Sequence, residues 1–219
     1  MTELKVAYCA GHGGKGSTPG KRTPDGEYEW NFNDVVVRAM AEELSKYEGV
    51  KLLRTDDASG RTDVSLRTRT NKANAWGADL YVSVHHNANT GRWGTWTGAE
   101  TFIHPSASAN SLKLAKAVQP RLVKAMGIKD RGIKRANFHI VRETRMPAIL
   151  TEGGYMDSTI DIKAMRDDAK LKAQGIAIAQ GIVEYAGLKL KAGAEPTKPA
   201  TVTPGRYRVY TGTFATEAK

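Results

Sequence analysis

Residues 80–88 read Leu-Tyr-Val-Ser-Val-His-His-Asn-Ala and carry the clearest signal of fold and site in the chain. The apolar part of this segment alternates, is rich in strand-forming residues and follows a Gly-Ala-Asp turn, so it predicts a β-strand. Two histidines and an asparagine come directly after it. Because ligands of open α/β sheets collect beyond the carboxyl ends of the strands, these polar side chains predict a site at the end of a hydrophobic strand.

Two other predicted strands end in comparable residues. The strand over 4–9 leads into Ala-Gly-His-Gly-Gly, which contains His12, and the strand over 148–151 leads into Glu152-Gly153-Gly154. We expect the three strand ends to meet, so that His12, His85 and Glu152 lie close together.

Strands and helices alternate between residues 4 and 188. Apolar residues recur at helical spacing in three segments, and a fourth helix is predicted from an Asp63 cap to about residue 75. The three segments are 29–47, 111–126 (with a kink or interruption expected at Pro120) and 168–188. Further strands are predicted at 50–55, 99–103, 131–134 and 138–141. This alternation predicts an α/β fold in which helices cover both faces of a mostly parallel or mixed sheet.

The composition fits one ordinary domain with a core and a small extra segment. The chain has 219 residues, of which 40% are hydrophobic, and no run approaches the ~20 apolar residues of a membrane span. A single cysteine, Cys9, excludes an internal disulfide framework. The formal net charge of +10 suits an anionic partner such as nucleic acid, a membrane surface or an acidic cell-wall polymer, and ordinary solubility accounts for it equally well.

The amino-acid composition of the chain changes at residue 189. Residues 189–205 are rich in proline, alanine and threonine and are predicted to be a linker after a domain at 1–188. Residues 206–214 alternate like a strand but are too short to fold alone. We therefore interpret 206–219 as the start of a second, C-terminal module.

His12 and His85 are candidate ligands of a metal ion. A catalytic zinc ion is held by three protein ligands from His, Glu and Asp, with water in the fourth position. The glycines at positions 11, 13 and 14 allow the backbone to bend closely around a small ion.

The third ligand could come from Asp25, Glu27 or Glu29. Glu29 is favoured because its spacing from Phe32 and Val36 puts it on the buried stripe of the predicted helix. Glu27 precedes the helix, so its direction is unconstrained.

Glu152 is the candidate catalytic base. It follows a strand that is predicted to be buried on both faces, and burial raises the pKa of a carboxyl group toward the range useful for proton transfer. A metal-activated water with a nearby carboxylate base is a recipe for amide hydrolysis.

Five motifs in order carry a resemblance to a known family. They are Ala10-Gly11-His12-Gly13-Gly14, Glu29 with Asn33, residues 83–88, Arg131-Gly132-Ile133-Lys134 and residues 147–155. Together they resemble the zinc-dependent N-acetylmuramoyl-L-alanine amidases of the Amidase_3 type over about residues 4–188. The resemblance implies a twisted, mixed sheet and a single catalytic domain that hydrolyses the amide between N-acetylmuramic acid and L-alanine in peptidoglycan.

Carried over by motif position, the resemblance implies one zinc ion per chain on His12, Glu29 and His85, with Glu152 as the base. His86 stands where the motif is variable and is not the expected ligand. The first motif departs from the family, with Cys9 and Ala10 where an acidic and a small residue are usual.

Four residues are candidates for contacts with the substrate. Asn87 could orient the site or the substrate, and a turn explains this residue equally well. Lys134 could meet acidic peptide groups, although a solvated face is the better explanation of this residue. Trp93 and Trp96 lie among glycines and could stack on sugar rings as a rim of the site.

Two rival functions follow from the same residues. A cysteine peptidase would use Cys9, but this residue lies inside a predicted strand and lacks an obvious activating partner. A non-catalytic basic module would bind cell wall or nucleic acid, but the chain lacks the interleaved basic and aromatic stretches typical of nucleic-acid binding. We expect peptidoglycan as the partner, no nucleic acid, no stable membrane association and a monomer.

The N-terminus lacks an apolar signal region, so we expect synthesis in the bacterial cytoplasm without a signal peptide and action on the wall after the membrane opens. Phage endolysins and mother-cell lytic amidases of spore formers share this trait, and a phage or prophage lysin is favoured. Residues 207–214 faintly resemble the start of a SPOR-type peptidoglycan-binding repeat, which implies that 206–219 begin a C-terminal cell-wall-binding module.

Overall fold

The computed structural model describes residues 3–14, 16–18 and 21–197. Within them, six strands form one sheet in the order β2-β1-β3-β6-β4-β5. The strands are β1 Leu4–Ala10, β2 Val50–Arg54, β3 Leu80–Asn87, β4 Ala99–Ile103, β5 Asp130–Arg135 and β6 Ala148–Tyr155. The first four strands in this order run parallel, β4 runs antiparallel to β6, and β5 is parallel to β4.

Helices cover both faces of the sheet, as the sequence predicts. They are α1 Glu29–Leu44, α2 Leu66–Trp76, α3 Ala109–Met126, α4 His139–Glu143, α5 Ile162–Met165 and α6 Asp168–Ala186. The predicted α/β fold with a mixed, mostly parallel sheet is confirmed. No helix in this described part is long and apolar enough to span a bilayer.

Alternation along the central strands divides the core into two layers. Val82 and Val84 pack with the α1, α3 and α6 layer, whereas Tyr81 and Cys9 belong to the cluster under α2 and α4. Successive side chains of a strand point to opposite faces. The neighbouring histidines of β3 therefore leave the sheet on opposite sides.

The predicted strand over 138–141 is wrong, because residues 139–143 form helix α4. Phe138 is extended and its carbonyl accepts from the backbone N–H of Arg142 at 3.0 Å. Ile140 and Val141 are both buried against the sheet, which a short helix achieves for adjacent apolar residues and an alternating strand does not.

The structure also differs from the sequence prediction at the start of α2, at Pro120 and at the ends of β3 and β6. Helix α2 begins after Ser65, whose Oγ accepts from the backbone N–H of Thr68 at 3.2 Å, while Asp63 pairs with Arg69 instead of capping the helix. Helix α3 runs through Pro120 without interruption. Strands β3 and β6 continue past His85 and Glu152, so both residues lie within strands rather than just beyond them.

Residues 189–197 of the predicted linker lie against the domain. The carbonyl of Lys189 accepts from the backbone N–H of Glu48 at 2.9 Å, and Thr197 Oγ1 donates to Glu43 Oε2 at 2.6 Å. Residues 198–205 of the linker and the predicted module over 206–219 lie outside the described residues. The domain boundaries therefore stay predictions.

Candidate active site

Three candidate metal donors converge at the carboxyl ends of β1 and β3. His12 Nε2 lies 3.2 Å from Glu29 Oε2, and His85 Nδ1 lies 3.0 Å from Glu29 Oε1. One donor atom from each residue falls within 4.8 Å of the other two. The two imidazole rings meet edge to face, with centroids 4.9 Å apart. This arrangement offers two imidazole nitrogens and one carboxylate to a single ion.

The loop after β1 holds His12 in an unusual backbone conformation. His12 has φ +61°, in the left-handed region that few residues other than glycine adopt. The buried Arg69 of α2 secures this loop by donating to the carbonyl of Ala10 at 2.6 Å and to that of His12 at 2.8 Å. Sequence reasoning missed Arg69, since nothing in the α2 sequence distinguishes it from a solvated arginine.

Gly11 provides the space that His85 occupies. A Cβ at this position would lie 2.1 Å from His85 Cε1 and 2.3 Å from His85 Nδ1. We expect Gly11→Ala to displace the imidazole of His85 and to weaken zinc binding at least tenfold. This is about the effect of losing a group that supports a metal ligand, although the variant keeps every ligand. Zinc titration against a competing chelator measures this effect. Wild-type affinity in the variant would contradict the geometry described for His85.

The electrostatics of the donors match the forms that a metal ion requires. Burial raises the pKa of Glu29, but hydrogen bonds and charge interactions with His12 and His85 outweigh it and hold the pKa well below its usual range. Burial lowers the pKa of His85 against the opposing effect of Glu29. An ionised carboxylate beside a neutral imidazole is the protonation state in which both groups bind a metal.

Glu152 lies beside this cluster on the next strand. It is the register partner of His85 in the parallel pair of β3 and β6. Its Oε2 is buried and has no hydrogen-bond partner among the described residues. Burial raises the pKa of Glu152 well above its usual value, and the negative charges of Glu29 and Glu100 add to the shift. Glu152 is thus a carboxyl group poised to take up a proton.

Glu100 is a further buried carboxylate near the site, and sequence reasoning missed it. It is the antiparallel partner of Glu152 across β4 and β6, accepts from Asn87 Nδ2 at 3.0 Å and forms an ion pair with Arg131 at 3.0 Å. The ring of Tyr155 lies 5.2 Å from the Arg131 guanidinium. A single glutamate in the predicted strand over 99–103 is a weak signal of a site residue. The sequence does not show that this strand lies next to β6 or that it runs antiparallel to it.

The four candidate substrate residues have different surroundings. Trp96 Nε1 donates to Asp157 at 2.7 Å, so this indole is anchored in its loop. Trp93 is 39% exposed, with the Arg166 guanidinium 5.7 Å from its ring. Asn87 holds Glu100, as described above. Lys134 lies on the edge strand β5, two strands away from Glu152.

A cavity of about 270 Å³ adjoins the histidines on the α2 and α4 side. Its lining includes both candidate ligand histidines, Cys9 and the apolar side chains of Leu66 and Ile140. Cys9 is buried, and its Sγ lies 3.3 Å from Ser83 Oγ. The thiol thus borders the site without belonging to the donor cluster.

His86 takes no part in the donor cluster. Its side chain is buried on the α1 and α6 side of β3, where Asn33 and Gln174 bind its ring. Burial lowers the pKa of His86 to about 4. The ring is therefore neutral and belongs to the core.

The fold and the site together define an α/β protein with the donor set of a metal-dependent hydrolase. Two histidines and one carboxylate, with a further carboxylate that binds no ion, are the composition of catalytic zinc sites that activate water.

Comparison with known proteins identifies the family. The model of the Amidase_3 family, N-acetylmuramoyl-L-alanine amidase, matches residues 6–184. The chain belongs to this family, so it is a peptidoglycan amidase, as the ordered motifs predict.

Two relatives and one solved structure illustrate the match. A sporulation-specific N-acetylmuramoyl-L-alanine amidase of Bacillus subtilis (strain 168) is 34% identical over 218 residues, covering 98% of this chain and 77% of the relative. An endolysin of Bacillus phage SPP1 is 37% identical over 202 residues, covering 90% and 71%. The N-acetylmuramoyl-L-alanine amidase structure from Clostridium difficile 630 superposes with a TM-score of 0.77 at 30% identity, covering 85% of this chain and 98% of that one.

Proposed function

We propose that this chain hydrolyses the amide between N-acetylmuramic acid and L-alanine with one zinc ion held by His12, Glu29 and His85 and with Glu152 as the catalytic base. The observation that carries the proposal is the convergence of three donor atoms within 4.8 Å, next to the Glu152 carboxyl, whose buried Oε2 has no hydrogen-bond partner among the described residues. Family membership supports the substrate. Lysis of bacterial walls follows when this bond is cut.

The residues present fit a zinc ion. Two imidazole nitrogens and one carboxylate oxygen are the first three ligands of a catalytic site, and the fourth position is left for water. When bound, zinc supplies a Lewis acid for the amide carbonyl and lowers the pKa of a water molecule to about 7. Asn33 Nδ2, 3.3 Å from Glu29 Oε1, supports the carboxylate from the protein side.

Glu152 moves the proton in this proposal. Its carboxylate takes a proton from the attacking water and delivers it to the departing nitrogen of L-alanine, because an amine leaves poorly unless it is protonated. A raised pKa makes the same carboxyl group an adequate base and an adequate acid near neutral pH. Glu100 keeps negative charge beside it and so maintains the shift.

The substrate would lie across the strand ends. Leu66 and Ile140 give the cavity beside His12 and His85 an apolar wall, which suits an aliphatic part of the substrate. Exposed Trp93 offers a ring face for a sugar. Asn87 and Lys134 keep their proposed roles as orienting residues on the Glu100 side.

The cysteine peptidase alternative makes an opposite prediction for Cys9. We expect Cys9→Ala to retain activity, since no histidine among the described residues forms a hydrogen bond with the buried thiol, whose polar neighbours are Ser83, Arg69 and Tyr81. Turbidity loss of purified peptidoglycan measures this. Loss of hydrolysis in a variant that folds and binds zinc as wild type does would favour the thiol mechanism.

The bond that is cut tests the proposed function directly. Digestion of purified peptidoglycan should release new amino termini that are all L-alanine. New reducing ends would indicate a glycosidase, and amino termini of other residues would indicate an endopeptidase. Either result would overturn the proposal.

The place of action is a separate proposal. We propose that the enzyme reaches the wall after the membrane opens, as a phage or prophage lysin. The test uses a bacterial host with a permeabilised membrane. Lysis on expression of the intact chain, and no lysis on expression of a Glu152→Gln variant, would support the proposal.

A further inference from the structure

A line of buried hydrogen bonds runs from α6 to the candidate metal site. His86 Nδ1 lies 2.8 Å from Asn33 Oδ1, and His86 Nε2 lies 3.1 Å from the side-chain amide of Gln174. Asn33 Nδ2 continues the line, 3.2 Å from the Gly11 carbonyl and 3.3 Å from Glu29 Oε1. All four side chains are buried. We call Gln174, His86, Asn33 and Glu29 the buried relay.

The acceptors around Asn33 fix the direction of every bond in the relay. Asn33 Nδ2 faces two acceptors, the Gly11 carbonyl and Glu29 Oε1, so it must be the donor and Oδ1 must accept. His86 Nδ1 therefore carries the proton. A neutral imidazole protonated on Nδ1 has Nε2 as an acceptor, so the Gln174 amide must donate to it.

Gln174 meets this requirement with its amide nitrogen toward the ring. With the amide oxygen toward the His86 acceptor, the amide nitrogen has no partner among the described residues. Turning the amide over places the nitrogen against His86 Nε2 and makes the relay a continuous series of donors and acceptors.

We propose that His86 and Gln174 are positioning residues that fix the orientation of Glu29 as a metal ligand. Glu29 Oε1 accepts from Asn33 Nδ2 and, at 3.2 Å, from the backbone N–H of His86, so one side chain of the relay and the backbone of another relay residue hold this oxygen. Rotation of the carboxylate away from His12 and His85 would break both bonds. This inference rests on the proposed zinc site.

The relay also packs directly on the strand that carries the candidate base. A Cβ at Gly153, next to Glu152, would lie 2.3 Å from the side-chain amide of Gln174 and 2.7 Å from His86 Nε2. Only glycine at position 153 leaves enough space for the side chains of Gln174 and His86.

Zinc affinity tests the role of Gln174, which is separated from Glu29 by the side chains of His86 and Asn33. We expect Gln174→Leu to weaken zinc binding about tenfold, the lower end of what the loss of a ligand's supporting hydrogen bonds costs. Asn33→Leu, which acts on Glu29 directly, should weaken it more. Competition with a chelator of known affinity gives both values.

Gln119→Leu is the matched control. Gln119 is a buried glutamine of α3 that accepts from Thr101 Oγ1 at 2.7 Å and donates to Asp130 at 2.6 Å, outside the relay. Its variant should lose stability and keep wild-type zinc affinity. Equal affinities in wild type, Gln174→Leu and Gln119→Leu would overturn the positioning role, whereas a wild type that binds no zinc would overturn the proposed function.

The ring protonation of His86 provides a test that needs no variant. Nitrogen-15 chemical shifts of the imidazole in the zinc-loaded wild type should identify the tautomer protonated on Nδ1. The tautomer protonated on Nε2 would break the relay at Asn33 and overturn the inference, even if a leucine variant failed to fold.

Discussion

Glu152→Gln should reduce amide hydrolysis about 10³-fold, within the range that a positioned general base contributes. The amide of glutamine keeps the shape of the side chain but cannot accept the proton of the attacking water. Zinc affinity should stay at the wild-type value, because Glu152 is not a donor in the cluster of His12, Glu29 and His85. Product release from purified peptidoglycan and zinc titration measure the two quantities.

The same variant should be more stable than wild type in the metal-free form at pH 7. The pKa of Glu152 is raised in the folded protein, so its contribution to stability is fully present below the unfolded pKa and is lost as pH rises through the folded pKa. Glutamine avoids this loss. The melting-temperature gain should therefore vanish below about pH 4, where glutamate is protonated in both states.

Retained hydrolysis in Glu152→Gln would exclude Glu152 as the catalytic base.

Glu29→Gln should weaken zinc binding by more than the 10- to about 100-fold that supporting hydrogen bonds contribute, and hydrolysis should be lost with it. The substitution removes the only carboxylate of the donor cluster, and with it the negative charge that faces both imidazoles at 3.0 and 3.2 Å. Zinc titration of the purified variant, followed by hydrolysis at saturating zinc, separates affinity from turnover.

Glu43→Gln is a matched control for this variant. Glu43 is also a buried carboxylate of α1, but it pairs with Lys46 at 2.8 Å and binds Thr197, away from the histidines. Its replacement should lower stability and leave zinc affinity unchanged. Equal zinc affinity in the Glu29 and Glu43 variants would exclude Glu29 as a ligand.

The strands and the main site residues follow from local sequence patterns. The strands that end near His12, His85 and Glu152 are apolar or alternating, and parallel strands place such ends at one edge of a sheet. Glu29 could be chosen over Asp25 and Glu27 because helical spacing is regular. These inferences need only the period of an element and the rule for strand ends.

The features that the sequence does not reveal depend on contacts between distant segments. Glu100 lies opposite Glu152 only because β4 runs antiparallel to β6, and no local pattern sets that direction. Arg69 reaches the His12 loop across 57 residues of sequence. The strand predicted at 138–141 failed because an apolar pair without alternation fits a short helix as well as a strand.

Metal content combined with chelation tests the central claim most directly. The purified chain should hold about one zinc ion, as expected for a site with three protein ligands. Chelation should abolish the release of L-alanine amino termini from peptidoglycan, and added zinc should restore it. Undiminished release after complete removal of the metal would contradict the zinc site, however well the His12, Glu29 and His85 side chains converge.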